Sequence, residues 1–450
     1  MQNPPTLWQE IRSLAALGLP IAISLAAATL ITVVDTIMIA PLGTVPLAAA
    51  SITATFLILI YSALFGFVSA TGVRMAEAFG KSDPVALTQA THGGLLVGLG
   101  TGLVAMSVMF AMLPVLPLLG QPADVIAIVP GYWMAMGVYF IPFALFYMLK
   151  SLFDAADRPW IGVILAFGAV FLNIPANYLL IHGIGSWEGF GLLGAGLASL
   201  LSETASLIAG LIIWRKSAAF ADARAQTAQS WAEIKTQLRE GATIAMGYVG
   251  EGGAFALVGF MMGWFSAAAL AAHQIVNAVG GVLYMVPLGV AIAVSIIIGQ
   301  AIGAGETRRL ITIGRAAMVF IIGWMTLVTM FILLARGPIT RGLSDDPAVI
   351  SLAISLFFIA ALMQIADGIQ STMLGACRGM TDNAIPVLIT MLSYWALALP
   401  TGYALGFWLD RGPTGVWIGY SLGLTVAATF VSRRYFQTAH RLHAQSKPHP

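Results

Sequence analysis

The sequence predicts an all-α integral membrane protein, with twelve transmembrane helices in two six-helix lobes related by a parallel pseudo-two-fold repeat. Three observations predict it. Of 450 residues, 59% are apolar and only 9% charged, against roughly 25% charged in soluble domains. The mean hydropathy is +0.90. The apolar residues fall in long continuous runs rather than the alternating pattern of a barrel strand, and the runs of the first half recur in the second.

A span needs about 20 mostly apolar residues. Twelve such runs lie near 14–39, 48–72, 92–117, 125–149, 160–182, 190–214, 241–264, 272–302, 311–335, 348–376, 384–408 and 414–435. The first is too long for a signal peptide, and neither a charged n-region nor a small-residue cleavage site accompanies it. Lys and Arg set the orientation. With the N-terminus inside, eighteen of the 21 basic residues fall on inner segments, from Arg12 and Arg74 to Arg441 and Lys447. Only Arg336, Arg341 and Arg411 fall outside. Both termini are therefore expected to be cytoplasmic, in a multi-pass protein of the cell inner membrane.

The one long polar stretch, Arg215 to Glu240, reads as a cytoplasmic linker ending in an amphipathic helix. It divides the chain into an N-terminal lobe (1–214), the linker (215–240), a C-terminal lobe (241–436) and a cytoplasmic tail (437–450). The lobes match in sequence. WQEI at Trp8 meets WAEI at Trp231, an offset of 223 (231 − 8). At that offset Gly18 meets Gly241, Ile21 meets Ile244, Tyr61 meets Tyr284, Gly66 meets Gly289 and Gly80 meets Gly303. PLAAASI (46–52) meets ALAAHQI (269–275), and further on IPANY (174–178) resembles LPTGY (399–403). Six spans is an even number, so both lobes begin on the same side and the repeat is parallel. Two such bundles are expected to enclose a cleft and give alternating access, which points to a transporter.

Several long segments resemble the multidrug and toxic compound extrusion (MATE) family. They are GLPIAISLAAATLITVVDTIMIAPLGTVPLAAASI and FLNIPANYLLIHG in the first half. In the second they are AALAAHQIVNAVGGVLYMVPLGVAIAVSIIIGQAIGAGE and GACRGMTDNAIPVLITMLSYWALALPTGYALG. The resemblance spans nearly the whole chain and implies a MATE/MOP-type fold. It also implies secondary active antiport, with export of cationic or amphiphilic organic compounds driven by inward Na⁺ or H⁺. Acids in the first, seventh and tenth spans are a feature of the family's NorM-like branch. Here they fall on Asp35 (VVDTIM), Glu251 (GEGG) and Asp367 (IADGIQ), and Glu251 places the chain with that branch.

The residues support a role for these acids. An acid at mid-span costs about 2.5–3.5 kcal/mol on insertion scales and usually faces a wet cavity or a partner. Glu251 lies eleven residues beyond Glu240, and Asp367 eleven before Arg378. At about 1.5 Å per residue, both are near mid-membrane. They are expected to share a pocket, where two carboxylates need a common cation or a proton; this makes Glu251 and Asp367 a candidate Na⁺ site. Flanking Gly250, Gly252, Gly253 and Gly368 leave room for water, an ion or a neighbouring helix. The resemblance puts Tyr284 beside this pocket, where a ring face can receive a cation. Asp35 belongs to the other lobe. Asn173 and Asn177, four residues apart on one face of the fifth span, match positions that pair with the first-span acid in the family. In some members one of them is acidic, so a two-proton site is disfavoured here.

Other residues carry weaker signals. Pro20 falls where the first span bends in some members; a static kink is the plainer reading. Gln274 joins the ion- and substrate-binding set, and its neighbour His273 reads as a satisfied interface residue rather than a proton carrier. Glu203 has no support from the resemblance and reads as a partner for a nearby hydroxyl or amide. Asp345 and Asp346 precede Pro347 and read as a helix cap. Of the Met and Phe residues, such as Met261, Met262, Phe265, Phe357 and Phe358, most are expected in core or lipid contact and a minority in the cleft.

The alternatives are weaker. A flippase or exporter of lipid-linked or other metabolites shares the superfamily plan, but would need basic residues in its cavity; Lys150 and Arg378 sit only at inner ends. An enzyme would need a His/Asp, Cys/His or metal constellation. One cysteine, Cys377, and 6 histidines with no pair at metal-ligand spacing inside a span offer none, so no catalytic residue and no cofactor beyond the coupling ion is expected. A net charge of +2 argues against nucleic acid. Small organic cations and membrane lipid are the expected partners, with the chain a monomer.

Overall fold

The computed structural model describes residues 5–446. Lys447 and the rest of the tail beyond it lie outside them. The described chain is helical, in the order α1 (Leu7–Ile39), α2 (Thr44–Gly80), α3 (Pro84–Met112), α4 (Ala123–Ala155), α5 (Pro159–His182), α6 (Leu192–Lys216), α7 (Trp231–Phe265), α8 (Ala267–Leu283), α9 (Met285–Gly303), α10 (Arg309–Leu343), α11 (Pro347–Gly379), α12 (Ala384–Met391), α13 (Leu399–Tyr403) and α14 (Gly412–Gln445). Twelve helical segments are long and apolar enough to cross a membrane, as expected, and the chain is a multi-pass membrane protein.

Polar caps start several helices. Asp83 accepts from the N–H groups of Val85 and Ala86, both at 3.0 Å, with Pro84 opening α3. Ser266 caps α8 through Ala269 N–H at 3.0 Å. Asp346 caps α11 through Ala348 N–H at 2.8 Å, with Pro347 next, which is the role expected of it. These side chains satisfy donors that a helix start leaves orphaned.

One expected span is divided, and another, Ala384–Trp408, is a single span with irregular turns inside it. The run expected at 272–302 is α8 and α9, which meet at Tyr284. Pro287 has no N–H to offer the Leu283 carbonyl, so the helix loses a bond at that step. The run at 384–408 contains two π-helical turns, Leu392–Ala398 and Ala404–Trp408. Pro400 likewise cannot bond Ala396, and the Leu399 N–H reaches the Tyr394 carbonyl instead. Such turns shift the side-chain register and often mark functional positions.

The polar stretch after α6 is not free-standing. A 3₁₀ segment, Ala218–Arg224, docks on α3, where the Thr88 hydroxyl donates to the Asp222 carbonyl at 3.0 Å and accepts from Ala225 N–H at 2.9 Å. The amphipathic helix expected at its end is the first turns of α7.

The chain divides into two compact units. One is Ile23–Ala245; the other joins the described residues up to Ala22 with those from Met246 onward. The boundaries therefore fall inside α1 and α7, not at 214/215 and 240/241. They are themselves 223 residues apart, the offset of the sequence repeat. Glycines allow both crossings. In the 23–245 unit, the backbone of Gly66 on α2 meets Ala245, and Gly241 meets Phe67. In the other unit, Gly289 on α9 meets Ala22, and Gly18 meets Val290. A Cβ on Gly289 would fall 2.7 Å from that of Ala22. Each contact is the other shifted by 223.

The glutamates of the WxEI motifs anchor the two helix starts. Glu10 is fully buried and held by Arg309, with Nε–Oε1 2.6 Å and Nη2–Oε2 3.3 Å. Glu233 is held by Arg74, with Nε–Oε1 3.1 Å and Nη2–Oε2 2.9 Å. Two-pronged pairing of this kind fixes orientation as well as charge. In the 23–245 unit α4 is the central helix, packed by α2, α3 and α6; in the other unit α11 is central, packed by α9, α10 and α14.

Candidate functional site

Each unit holds its own buried acid, and the two are built differently. In the 23–245 unit, Asp35 on α1 is buried between α5 and α6. Its Oδ1 accepts from Asn177 Nδ2 at 2.6 Å and from Asn173 Nδ2 at 3.2 Å. Its Oδ2 accepts from the Ser199 hydroxyl at 2.7 Å. Asn177 Nδ2 also donates to Asn173 Oδ1 at 2.8 Å, which holds the two amides in line. Three donors thus converge on one carboxyl, the arrangement that suits an acceptor-only carboxylate. The sequence reading placed Asp35, Asn173 and Asn177 together and the structure does the same. It missed Ser199, which lies in a run of small residues on α6 with nothing to single it out.

In the other unit, Glu251 sits midway along α7. The Tyr394 hydroxyl donates to its Oε1 at 3.1 Å, and the Trp395 indole donates to the Gly250 carbonyl at 3.0 Å. Both come from the first π-helical turn, whose shifted register turns two consecutive aromatic residues toward α7. Asp367 on α11 is close enough to Glu251 to repel it, and Tyr284, between α8 and α9, interacts with both acids. Asp367 takes part in no hydrogen bond among the described residues. So the pocket gathers Glu251, Asp367 and Tyr284 as expected, and adds Tyr394 and Trp395.

The glycines around Glu251 serve different ends. Gly250 makes room for Met391, Gly253 lies against Trp395, and Gly368 lets Met325 and Ile321 close on α11. Only Gly252 faces open space, with nothing within 4 Å of where a Cβ would stand.

A basic residue approaches this pocket from one end. Arg378, on the last turn of α11, is buried. Its Nη1 donates to the Tyr248 hydroxyl at 2.6 Å, and its guanidinium lies 4.4 Å from the Tyr248 ring centroid. Tyr248 is one turn from Glu251 on α7. Arg378 forms no ion pair among the described residues, and neither does Asp35, Glu251 or Asp367. Lys150, the other buried base, is neutralised by Asp154 at 2.7 Å.

Other expected site residues are placed apart. Gln274 is exposed on α8 and bonds to none of the acids; it lies ten residues from Tyr284, about 15 Å along a helix. α8 begins at Ala267, so Gln274 and His273 lie two turns inside it. His273 is buried against Phe255 and Trp417, with Nε2 2.8 Å from Asn277 Nδ2 and Nδ1 without a partner. α1 runs unbroken through Pro20, two residues before the unit boundary. Met261, Met262 and Phe357 are core, with Phe265 packed against them, while Phe358 is exposed under Arg336.

These geometries sit within a known family. The family model described as MatE matches residues 20–179 and again 244–404. The chain belongs to the MatE family. Its two matched stretches are the two halves of the repeat. Among relatives, a probable multidrug resistance protein NorM from Bradyrhizobium diazoefficiens is 31% identical over 417 residues, covering 91% of this chain and 89% of the relative. The multidrug resistance protein PmpM from Pseudomonas aeruginosa is 28% identical over 441 residues, covering 96% and 92%. Among solved structures, the Vibrio cholerae MATE transporter VcmN in the bent form superposes with a TM-score of 0.86 at 20% identity, covering 97% of this chain and 99% of that one. The eukaryotic MATE transporter AtDTX14 gives 0.86 at 19%, covering 98% and 100%. The MatE fold is thereby shown for this chain.

Proposed function

We propose that this MatE-family protein is a secondary active antiporter that exports cationic and amphiphilic organic compounds in exchange for Na⁺ or H⁺. What carries the reading is that each compact unit keeps a buried acid that forms no ion pair among the described residues, with Arg378 acting on Glu251 only from a distance. Such acids are costly in a membrane and persist where something cationic visits them. In the Met246-onward unit, Glu251 and Asp367 repel each other unless a cation or a proton is shared between them. Drug and coupling ion would then compete for the same negative charge, and arrival of one would expel the other. Tyr284 and Tyr394 present ring faces and hydroxyls that suit an organic cation or a bare one. Pro20 would serve as a pivot in α1 during alternating access, and Gln274 as a polar contact on the route. The names of the NorM and PmpM relatives support export of drugs, and the same relatives support a transporter rather than an enzyme. On this reading the protein resides in the cell inner membrane as a monomer, with both termini in the cytoplasm.

The test is efflux of ethidium from cells expressing the protein, with Na⁺ and pH gradients imposed separately. The reading expects efflux to follow one gradient and to stop when that gradient is collapsed. Efflux indifferent to both gradients would refute antiport.

A further inference from the structure

The Ile23–Ala245 unit contains a second buried acid that the Asp35 cluster does not use. Glu203 on α6 is 5% exposed. Its Oε1 is sealed from solvent and has no hydrogen-bond partner, and the side chain forms no ion pair among the described residues. The hydroxyl or amide partner expected from the sequence is not there. Ser202 bonds the Ala198 carbonyl of its own helix, and Ser206 bonds the Leu165 carbonyl of α5.

The surroundings of Glu203 are well defined. Ser199 is one turn away on the same face of α6, and its hydroxyl holds Asp35. Two close contacts set the level of α4 opposite: a Cβ on Gly196 would lie 2.9 Å from that of Ala135, and one on Gly210 would lie 3.1 Å from Leu149 Cδ2. Between those levels α4 presents Tyr139, Phe143 and Tyr147, and α2 presents Tyr61. Their rings pack on each other, with centroids 4.8 Å apart for Tyr61–Phe143 and 4.5 Å for Phe143–Tyr147. Tyr61, Tyr139 and Tyr147 all lie close enough to interact with Glu203. From α5, the facing stretch 165–172 carries no titratable group. The nearest base along α4, Lys150, is already bound to Asp154.

A carboxylate here would be a buried charge without a counter-charge, which is costly enough that the group takes up a proton instead. A metal ion would need several oxygens, and the wall offers mostly tilted aromatic rings. Tyr61 lies near both Glu203 and Asp35 and is hydrogen-bonded to Tyr139, whereas Tyr132 lies near Asp35 alone of the two.

We propose that Glu203 is a proton seat, exchanging its proton with Asp35, whose serine partner lies one turn away on α6. In the exchange Glu203 gives up its carboxyl proton and Asp35 takes one up. Glu203 is left as carboxylate and Asp35 becomes the acid. The two carboxyls thus share one negative charge, and a cation attracted to Asp35 favours the proton on Glu203. The seat itself is independent of the antiport reading; only its consequence for transport rests on that reading.

The experiment uses the full chain in proteoliposomes. Infrared spectra at neutral pH should show the carbonyl stretch of a protonated carboxyl that Glu203→Gln removes and Asp35→Asn leaves. A spectrum unaltered by Glu203→Gln would overturn the seat, whether or not the protein transports anything. In the same vesicles, ethidium transport driven by a pH gradient should fall about tenfold in Glu203→Gln, within the usual range of coupling between sites. Glu203→Asp, which keeps a carboxyl, should retain most of the transport and the infrared band, which guards against a Glu203 variant that merely folds poorly. Undiminished pH-driven transport in Glu203→Gln, or a wild type driven by Na⁺ alone, would overturn the transport role. A wild type that moves no ethidium under any gradient would refute the antiport reading, with the infrared result still deciding the seat.

Discussion

Asp35 and Glu251 occupy corresponding halves of a repeated chain, yet one is saturated and the other is not. Three donors from two helices hold Asp35. One phenol holds Glu251, with Asp367 close enough to repel it and Arg378 acting on it without an ion pair. A carboxyl with a full set of donors keeps its geometry when nothing is bound. A carboxyl with a single donor and an acidic neighbour stands in need of a visitor. On the proposed antiport, the contrast would give the Glu251 pocket the larger share of ion and substrate exchange, and leave Asp35 poised by its own side chains.

Variants can break that contrast or sharpen it. Glu251→Gln keeps size and removes charge, and should cut ethidium efflux about a hundredfold, near the top of the usual coupling range. Its unfolding midpoint should hardly move, because one hydrogen bond is at stake. Equal efflux from equal amounts of membrane-inserted variant would erase the assigned role. Asp35→Asn should do the reverse in proportion. It sets an NH₂ group against donors already aimed at that spot, costing about 1–3 kcal/mol of stability, visible as a lower melting midpoint in detergent. An unshifted midpoint would mean the three donors are not a preset cradle. Smaller still are two hydroxyl deletions. Ser199→Ala and Tyr394→Phe each remove one bond to a carboxyl, worth about 0.5–1.5 kcal/mol. The contrast requires Ser199→Ala to lower the melting midpoint and Tyr394→Phe to show itself in ethidium affinity instead. Indistinguishable profiles would make the two sites equivalent.

Much of this was legible in the sequence, for definite reasons. Apolar runs cannot hide, so all twelve spans were countable. A carboxyl inside such a run is equally conspicuous, which is why Asp35, Glu251 and Asp367 stood out. The Asn173–Asn177 pair was readable because both lie on one helical face. Ser199 was not, because a serine in a span satisfies itself cheaply on its own backbone, as Ser202 does. Tyr394 and Trp395 depend on a π-helical turn whose cause, Pro400, looks like any proline in a span. Pro287 was visible too, yet its effect on the span at Tyr284 needs the backbone to be seen. Gln274 stands apart from the acids for a related reason: its neighbour His273 takes the buried face. The burial of Glu203 without a partner is a fact about what surrounds it, and no pattern along one helix encodes that.

The two crossings within α1 and α7 bear on how the chain is made. The first turns of α1 dock on Gly289 and Val290, which leave the ribosome some 270 residues after Gly18. At about 5–20 residues per second, that is a wait of roughly 15–55 seconds. Glu10 must likewise await Arg309. Until then α1 lacks these partners, while α7 finds α2 already made when it emerges. A segment synthesised well ahead of its partners is thus locked only once they arrive, and the last contacts of α1 close after the helices between have been made.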